Sequence, residues 1–324
     1  GLIPMADAPA WMKLLMGEEI FRHPVPSEVT QIPAWRELLD FSGANTPLPA
    51  GVSCETITLP GPADRTLSAE VYRPAAEGPH PLMLYLHGGG WCVGSAASVR
   101  RMAMLIAAQG YLVVNLDYSL APEAQFPVPV EDCLAGAWWC AKHNAQLGGD
   151  GGALLIAGDS AGANLAAAVI IAATDAAALE QAGLDIPTGK PPEFVGALFN
   201  YGVFDFPLLM QTPGSYQGSI EVRYNLAYLG NNFLAHHWSP FVSPIFAPHL
   251  ERFPPTYLTC GNSDDLLGHT LAMSAALAQA GVATRLSAVP QMDHAFLQLD
   301  QEFAAATAEL NRIYGWLEEL RQTH

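Results

Sequence analysis

Basic residues are scarce in this chain. Lysine and arginine number 14 in 324 residues against 31 aspartates and glutamates, a formal net charge of −17. Nothing on such a surface would neutralise phosphates, which argues against a nucleic-acid partner or an anionic membrane surface. Charged residues of both signs make up only 14% of the chain, low for a salt-adapted protein, so the acidity reads as solubility. Long apolar runs are missing too. The longest, residues 165–173, has nine residues, under half of the ~20 a membrane helix needs. Residues 1–5 have neither the basic stretch nor the apolar core of a secretion signal, and a cytoplasmic location is expected. Cysteines are few and odd in number: Cys54, Cys92, Cys133, Cys140 and Cys260. They lie in apolar segments without Cys-x-x-Cys spacing, so buried free thiols are expected, not disulfides. Internal repeats and low-complexity tracts are also absent.

What is present is hydrophobic patterning, in half of the residues. That is enough for one large α/β domain with additions, or for two small domains. Residues 9–23 read as an amphipathic helix with Trp11, Leu14, Leu15, Ile20 and Phe21 on its apolar side. A second helix is expected after Pro33, carrying Trp35, Leu38, Leu39 and Phe41. Two alternating stretches follow, 52–59 and 67–72, joined by a turn-rich link, and predict an antiparallel pair. Short apolar runs then recur at 81–86, 111–116, 153–157, 195–199, 256–259 and 283–288. Helical patterns fall between most of them, at 97–109, 128–146, 161–174 and 267–281. This alternation predicts a mostly parallel sheet covered on both faces. One interval breaks it: some fifty residues between 199 and 256, rich in Phe, Leu, Met and Tyr and including Phe204, Tyr216, Tyr224, Phe233 and Trp238. An apolar insertion of that length predicts a helical lid or binding element over the strand ends.

Gly158-Asp159-Ser160-Ala161-Gly162 stands between the strand 153–157 and the helix 161–174. The pentapeptide alone is a weak signal, and its bland reading is a turn without chemistry. In a strand–turn–helix context it predicts a nucleophile elbow, because the bend leaves no room for side chains two residues either side of the serine. The helix N-terminus adds unpaired N–H groups beside the hydroxyl. A second glycine-rich turn, His87-Gly88-Gly89-Gly90-Trp91, follows the strand 81–86. It lacks the Lys and Ser/Thr of a phosphate-binding loop. Instead Gly88 and Gly89, with Ala161, are expected to donate N–H groups to a developing oxyanion.

Ser160 needs a base, and His294 is the best placed of ten histidines, just after the last predicted strand. His236-His237 compete, but lie in the insertion and lack a third ligand at metal-like spacing. The base needs an acid in turn. Asp264 and Asp265 end the strand 256–259, and Asp264 is favoured; Asp293 would have to bend back on itself. The order Ser160, Asp264, His294 is that expected of an α/β-hydrolase.

These motifs, together with Asp117-Tyr118-Ser119-Leu120-Ala121-Pro122-Glu123 and Asp293-His294-Ala295-Phe296, resemble the bacterial hormone-sensitive-lipase-like esterases over residues 81–296. The resemblance implies an α/β-hydrolase fold, with a mostly parallel eight-stranded sheet, helices on both faces and a helical cap. It implies cap helices over residues 1–48, a catalytic domain over 49–202 and 241–324, and a cap insertion over 203–240. Ser160, Asp264 and His294 would form the triad. Gly88, Gly89 and Ala161 would form the oxyanion site, and Tyr118 to Glu123 would brace its loop. Trp91, Asp159, Phe204, Tyr224 and Ala295 are expected to line the substrate pocket. The family usually has Asp-Pro-Leu at Asp264-Asp265-Leu266, and glycine at Ala163 and Ala295. The expected activity is carboxylesterase action on small-molecule esters with short to medium acyl chains, needing no metal or organic cofactor. The same triad would also suit an amidase or formamidase. A non-catalytic receptor on this scaffold is disfavoured because His294 is kept. The resemblance also implies a possible homodimer paired through an edge strand.

Overall fold

The computed structural model describes residues 10–211 and 220–324. Its eight strands form one sheet in the order β1-β2-β4-β3-β5-β6-β7-β8. β1 (Val52–Pro60) and β2 (Thr66–Pro74) are the antiparallel pair, and β2 also lies antiparallel to β4 (Leu112–Asp117). β3 (Leu82–Leu86), β5 (Leu154–Asp159), β6 (Phe194–Asn200), β7 (Thr256–Gly261) and β8 (Thr284–Val289) pair in parallel. This is the mostly parallel eight-stranded sheet that the alternation of patterns and the resemblance lead one to expect.

Helices α1 (Ala10–Met16) and α2 (Ile32–Arg36) precede the sheet. α3 (Arg100–Ala107), α4 (Val128–Leu147), α5 (Ala161–Thr174) and α6 (Ala176–Ala182) connect its strands. The insertion holds α7 (Phe206–Leu209), α8 (Ile220–Leu229) and α9 (Phe233–His236). α10 (Leu267–Gln279) and α11 (Ala304–Thr323) complete the described set. Strand periodicity divides the core. Leu82, Leu84 and Leu86 of β3 face the layer of α4, α5 and α10, while Met83 and Tyr85 face that of α3 and α11. Strands buried on both sides are why the sequence reads there as unbroken apolar runs. No single helix among the described residues is long and apolar enough to cross a membrane.

The N-terminal segment differs from the sequence expectation. Residues 9–23 do not form one helix: α1 ends before Gly17, whose φ of 80° lies in the left-handed region, and a short 3₁₀ turn, Glu19–Arg22, follows. Leu14 is exposed, while Leu15, Ile20 and Phe21 are buried as expected. α2 starts at Ile32 and stops at Arg36, since Asp40 is drawn back to donate its N–H to Met16 O (3.0 Å). The five cysteines are free thiols, but Cys54, on β1, is exposed. Residue 9 and Tyr216, both in expected cap elements, lie outside the described residues. α6 and α11 were not anticipated.

Candidate active site

Ser160 sits between β5 and α5 with φ 56° and ψ −118°, a region that residues with a β-carbon rarely occupy. The glycines on either side are sterically required. A β-carbon on Gly162 would lie 1.9 Å from the Leu86 carbonyl oxygen, and one on Gly158 2.4 Å from the Gly162 carbonyl. The backbone strain is held in place by the parallel register, with Ser160 N–H donating to Asn200 O at 2.8 Å.

His294 and Asp264 reach this serine from the ends of β8 and β7. The Ser160 hydroxyl donates to His294 Nε2 at 3.0 Å, and His294 Nδ1–H donates to Asp264 Oδ2 at 2.7 Å. Asp264 is buried, and its other oxygen accepts the Leu266 N–H at 2.8 Å. Burial pushes its pKa up, but the charge and hydrogen bond of His294 outweigh that and hold it below the usual carboxylate range. For His294, burial disfavours the cation. Asp264 more than offsets this, with help from Asp159 and Asp293, and raises its pKa above the ordinary 6.5. Asp265, the next residue, is exposed. Asp293 accepts the backbone N–H of His294 at 2.7 Å instead of reaching the imidazole.

Each peptide of the glycine loop is anchored by its own partner. Because N–H and C=O point oppositely across a trans peptide, an anchored carbonyl aims the N–H it shares a plane with. The His87–Gly88 peptide is held at both ends: Tyr118 Oη donates to His87 O (2.5 Å), and Gly88 N–H donates to Asp159 Oδ1 (3.1 Å). Gly88 is therefore not available as an oxyanion donor, which corrects the sequence expectation. In the next peptide, His87 Nδ1–H donates to Gly88 O at 2.6 Å. In the one after, Cys92 and Val93 N–H both donate to Gly89 O, at 3.0 and 2.9 Å. The Gly89 and Gly90 N–H groups that this arrangement turns outward have no acceptor among the described residues, and neither has Ala161 N–H at the start of α5. Three glycines in a row announced the loop, but not which two would face the serine.

The sequence pattern of the α/β-hydrolase fold family matches residues 83–298. This chain belongs to the α/β-hydrolase fold family. Carboxylic ester hydrolase LipN of Mycobacterium tuberculosis is 29% identical over 273 residues, covering 82% of this chain and 70% of the relative. Ethyl acetate hydrolase of Pseudomonas putida is 28% identical over 242 residues, covering 72% of each. A hyperthermophilic esterase from the archaeon Pyrobaculum calidifontis has a similar structure, with a TM-score of 0.76 at 25% identity. The match spans 93% of this chain and 95% of that one. The likeness to the hormone-sensitive-lipase-like carboxylesterases that the motifs carry is thus matched over most of the chain.

In this α/β-hydrolase three of the expected pocket residues have buried side chains engaged by the protein itself. Phe204 is 0% exposed, packed on Phe199 at 5.3 Å, with its N–H donated to His269 Nδ1 at 3.2 Å. Trp91 is 2% exposed, stacked on Tyr228 at 4.7 Å and against Phe206 at 5.3 Å. Asp159 is 4% exposed and spends Oδ1 on Tyr85 Oη (3.2 Å) as well as on Gly88. Burial pushes its carboxyl up to about 6, against the pull of those two donors. Asp159 holds the glycine loop from behind through Gly88, and Trp91 anchors its end in the core. Tyr224 and Ala295 do border the site. The Tyr224 ring lies against Gly90, where a β-carbon would come within 2.3 Å of it. Ala295 adjoins His294 with φ 63° and ψ 22°, which accounts for the family's glycine at this position. Ala163, at the other position where the family has glycine, is fully buried.

Sequence reasoning missed Gly90, and also Tyr85, Cys260 and Arg36. Cys260 S–H approaches Asp264 Oδ2 at 3.5 Å from within β7. Tyr85 and Arg36 act across 74 and 56 residues of chain, where no local pattern reports them. The bracing segment is as expected: Tyr118 stacks on His87 at 4.3 Å, and Ala121 N–H holds Trp91 O at 2.8 Å. No group of His, Cys, Asp or Glu among the described residues is arranged to hold a metal.

Proposed function

We propose that this chain is a serine carboxylesterase acting on small, fairly apolar esters with short to medium acyl chains. The observation that carries the reading is the unbroken hydrogen-bonded line from Ser160 Oγ through both ring nitrogens of His294 to Asp264. Ser160 attacks the ester carbonyl carbon while its proton passes to His294 Nε2. Negative charge builds on the carbonyl oxygen among the N–H groups of Gly89, Gly90 and Ala161. His294 then protonates the departing alcohol, leaving acyl-Ser160, and next activates the water that releases the acid. Asp264 holds the productive tautomer and balances the imidazolium. The relative named ethyl acetate hydrolase supports the preference for small esters.

Turnover of p-nitrophenyl esters of increasing acyl length tests this. Each buried CH₂ contributes ~0.8 kcal/mol, so kcat/KM should rise about fourfold per carbon and fall once the pocket is full. Failure to hydrolyse any member of the series would overturn the reading. The pH dependence follows from His294, which is a base only when neutral. Since its pKa is raised, activity is absent at low pH and appears as pH climbs through a value above 6.5. An acidic limb centred below that value would contradict the Asp264–His294 pairing.

A further inference from the structure

α2 belongs to the N-terminal segment, yet one of its side chains is wired into the glycine loop. Ile32 and Trp35 bury the helix in the core. Arg36 beside them is 18% exposed, and all of its bonding is directed at two loops of the hydrolase domain. Its Nε–H donates to Cys92 O at 2.7 Å and one Nη2–H to Ala121 O at 2.8 Å. The fork closes on Glu123, Nη1 to Oε2 at 2.6 Å and Nη2 to Oε1 at 3.0 Å.

Of the two carbonyls that Arg36 grips, Cys92 O leads to the oxyanion site by covalent geometry, and Ala121 O belongs to the segment that anchors the loop from the other side. Cys92 O shares a peptide plane with Val93 N–H, which donates to Gly89 O. Ala121 N–H fixes Trp91 O, and that peptide's N–H, on Cys92, is the second donor to Gly89 O. Gly89 O in turn shares its plane with Gly90 N–H. Arg36 thus fixes the peptide of one donor directly and holds in place the residue, Ala121, whose N–H anchors the peptide of the other. A planar guanidinium with donors in fixed directions can do this; an ammonium, which offers a single point of attachment, cannot span both carbonyls and the carboxylate.

We propose that Arg36 is a positioning residue for the oxyanion site, so that the N-terminal segment governs the chemical step and not only access to the serine. The inference rests on the esterase reading. Oxyanion stabilisation acts in the transition state alone, so a misaimed Gly90 N–H lowers kcat and spares KM.

The test uses the full chain with Arg36→Met and Arg36→Lys. Kinetics with p-nitrophenyl butyrate are set beside inhibition by an alkyl trifluoromethyl ketone. Ser160 Oγ adds to the ketone carbon, its proton goes to His294, and the carbonyl oxygen becomes an oxyanion. Arg36→Met should lower kcat by about 10–100-fold with KM within about threefold, and weaken the ketone by the same factor as kcat/KM. Arg36→Lys, the milder change should Arg36→Met not fold, should restore only part of the loss. Unchanged kcat and ketone affinity in a folded variant, or a rise in KM alone, would overturn the inference while leaving the esterase reading intact. A wild-type chain that hydrolyses no ester would overturn both.

Discussion

Replacing Ser160 by alanine is expected to lower kcat on p-nitrophenyl esters by about 10⁶-fold while leaving thermal stability near that of the wild type. The loss is large because the serine and histidine act as a unit. Without Oγ there is no atom to form the acyl-enzyme, and His294 Nε2, 3.0 Å from that oxygen, loses the proton it exists to take. What remains is water attack on an ester polarised by three N–H groups. Stability should be preserved because the strain at φ 56° comes from the β-carbon, which alanine retains. A variant that keeps more than about a thousandth of wild-type kcat would show that Ser160 is not the nucleophile.

Asp264→Asn should cost about 10⁴ in kcat, whereas Asp265→Asn should stay within about threefold of wild type. The asparagine keeps the shape but reverses a hydrogen bond. Its carbonyl oxygen would stay with the Leu266 N–H, which Asp264 Oδ1 accepts at 2.8 Å. The amide NH₂ would then face His294 Nδ1, 2.7 Å from the present Oδ2. Two donors cannot face each other, so the imidazole proton moves to Nε2, and no lone pair is left for the serine. The acidic limb of any residual activity should shift downward too, since the carboxylate no longer stabilises the imidazolium. Paired kinetics of the two variants decide the matter: activity abolished in Asp265→Asn alone would transfer the acid's role to that residue.

Several of these features are legible without coordinates. Glycines at 158 and 162 around Ser160, set between an apolar run and a helical one, describe a bend that only small residues permit. Asp264 and His294 could be located because each follows a strand pattern closely, so the sheet's own order carries them to the same edge. The pocket residues fared less well. Trp91 and Phe204 are aromatic, and an aromatic ring gains most by burial; both lie in the core. Asp159 adjoins the nucleophile in the chain, but its side chain leads elsewhere. A strand alternates its side chains, and this one turns beneath the sheet's end toward Tyr85 and Gly88.

The sequence by itself determined which residue types could carry the chemistry and which strand end each would occupy. Those depend on steric and periodic rules that act over a few residues. Only the tertiary structure decided which N–H groups of the glycine loop stay free, because each peptide is turned by a partner far away in the chain. Asp159 takes Gly88 out of use. The Cys92 and Val93 N–H groups hold the Gly89 carbonyl, with Arg36 of another helix on the peptide of the second, and leave the Gly90 N–H free. The direction of a hydrogen bond across dozens of residues is a property of packing, and no local pattern encodes it.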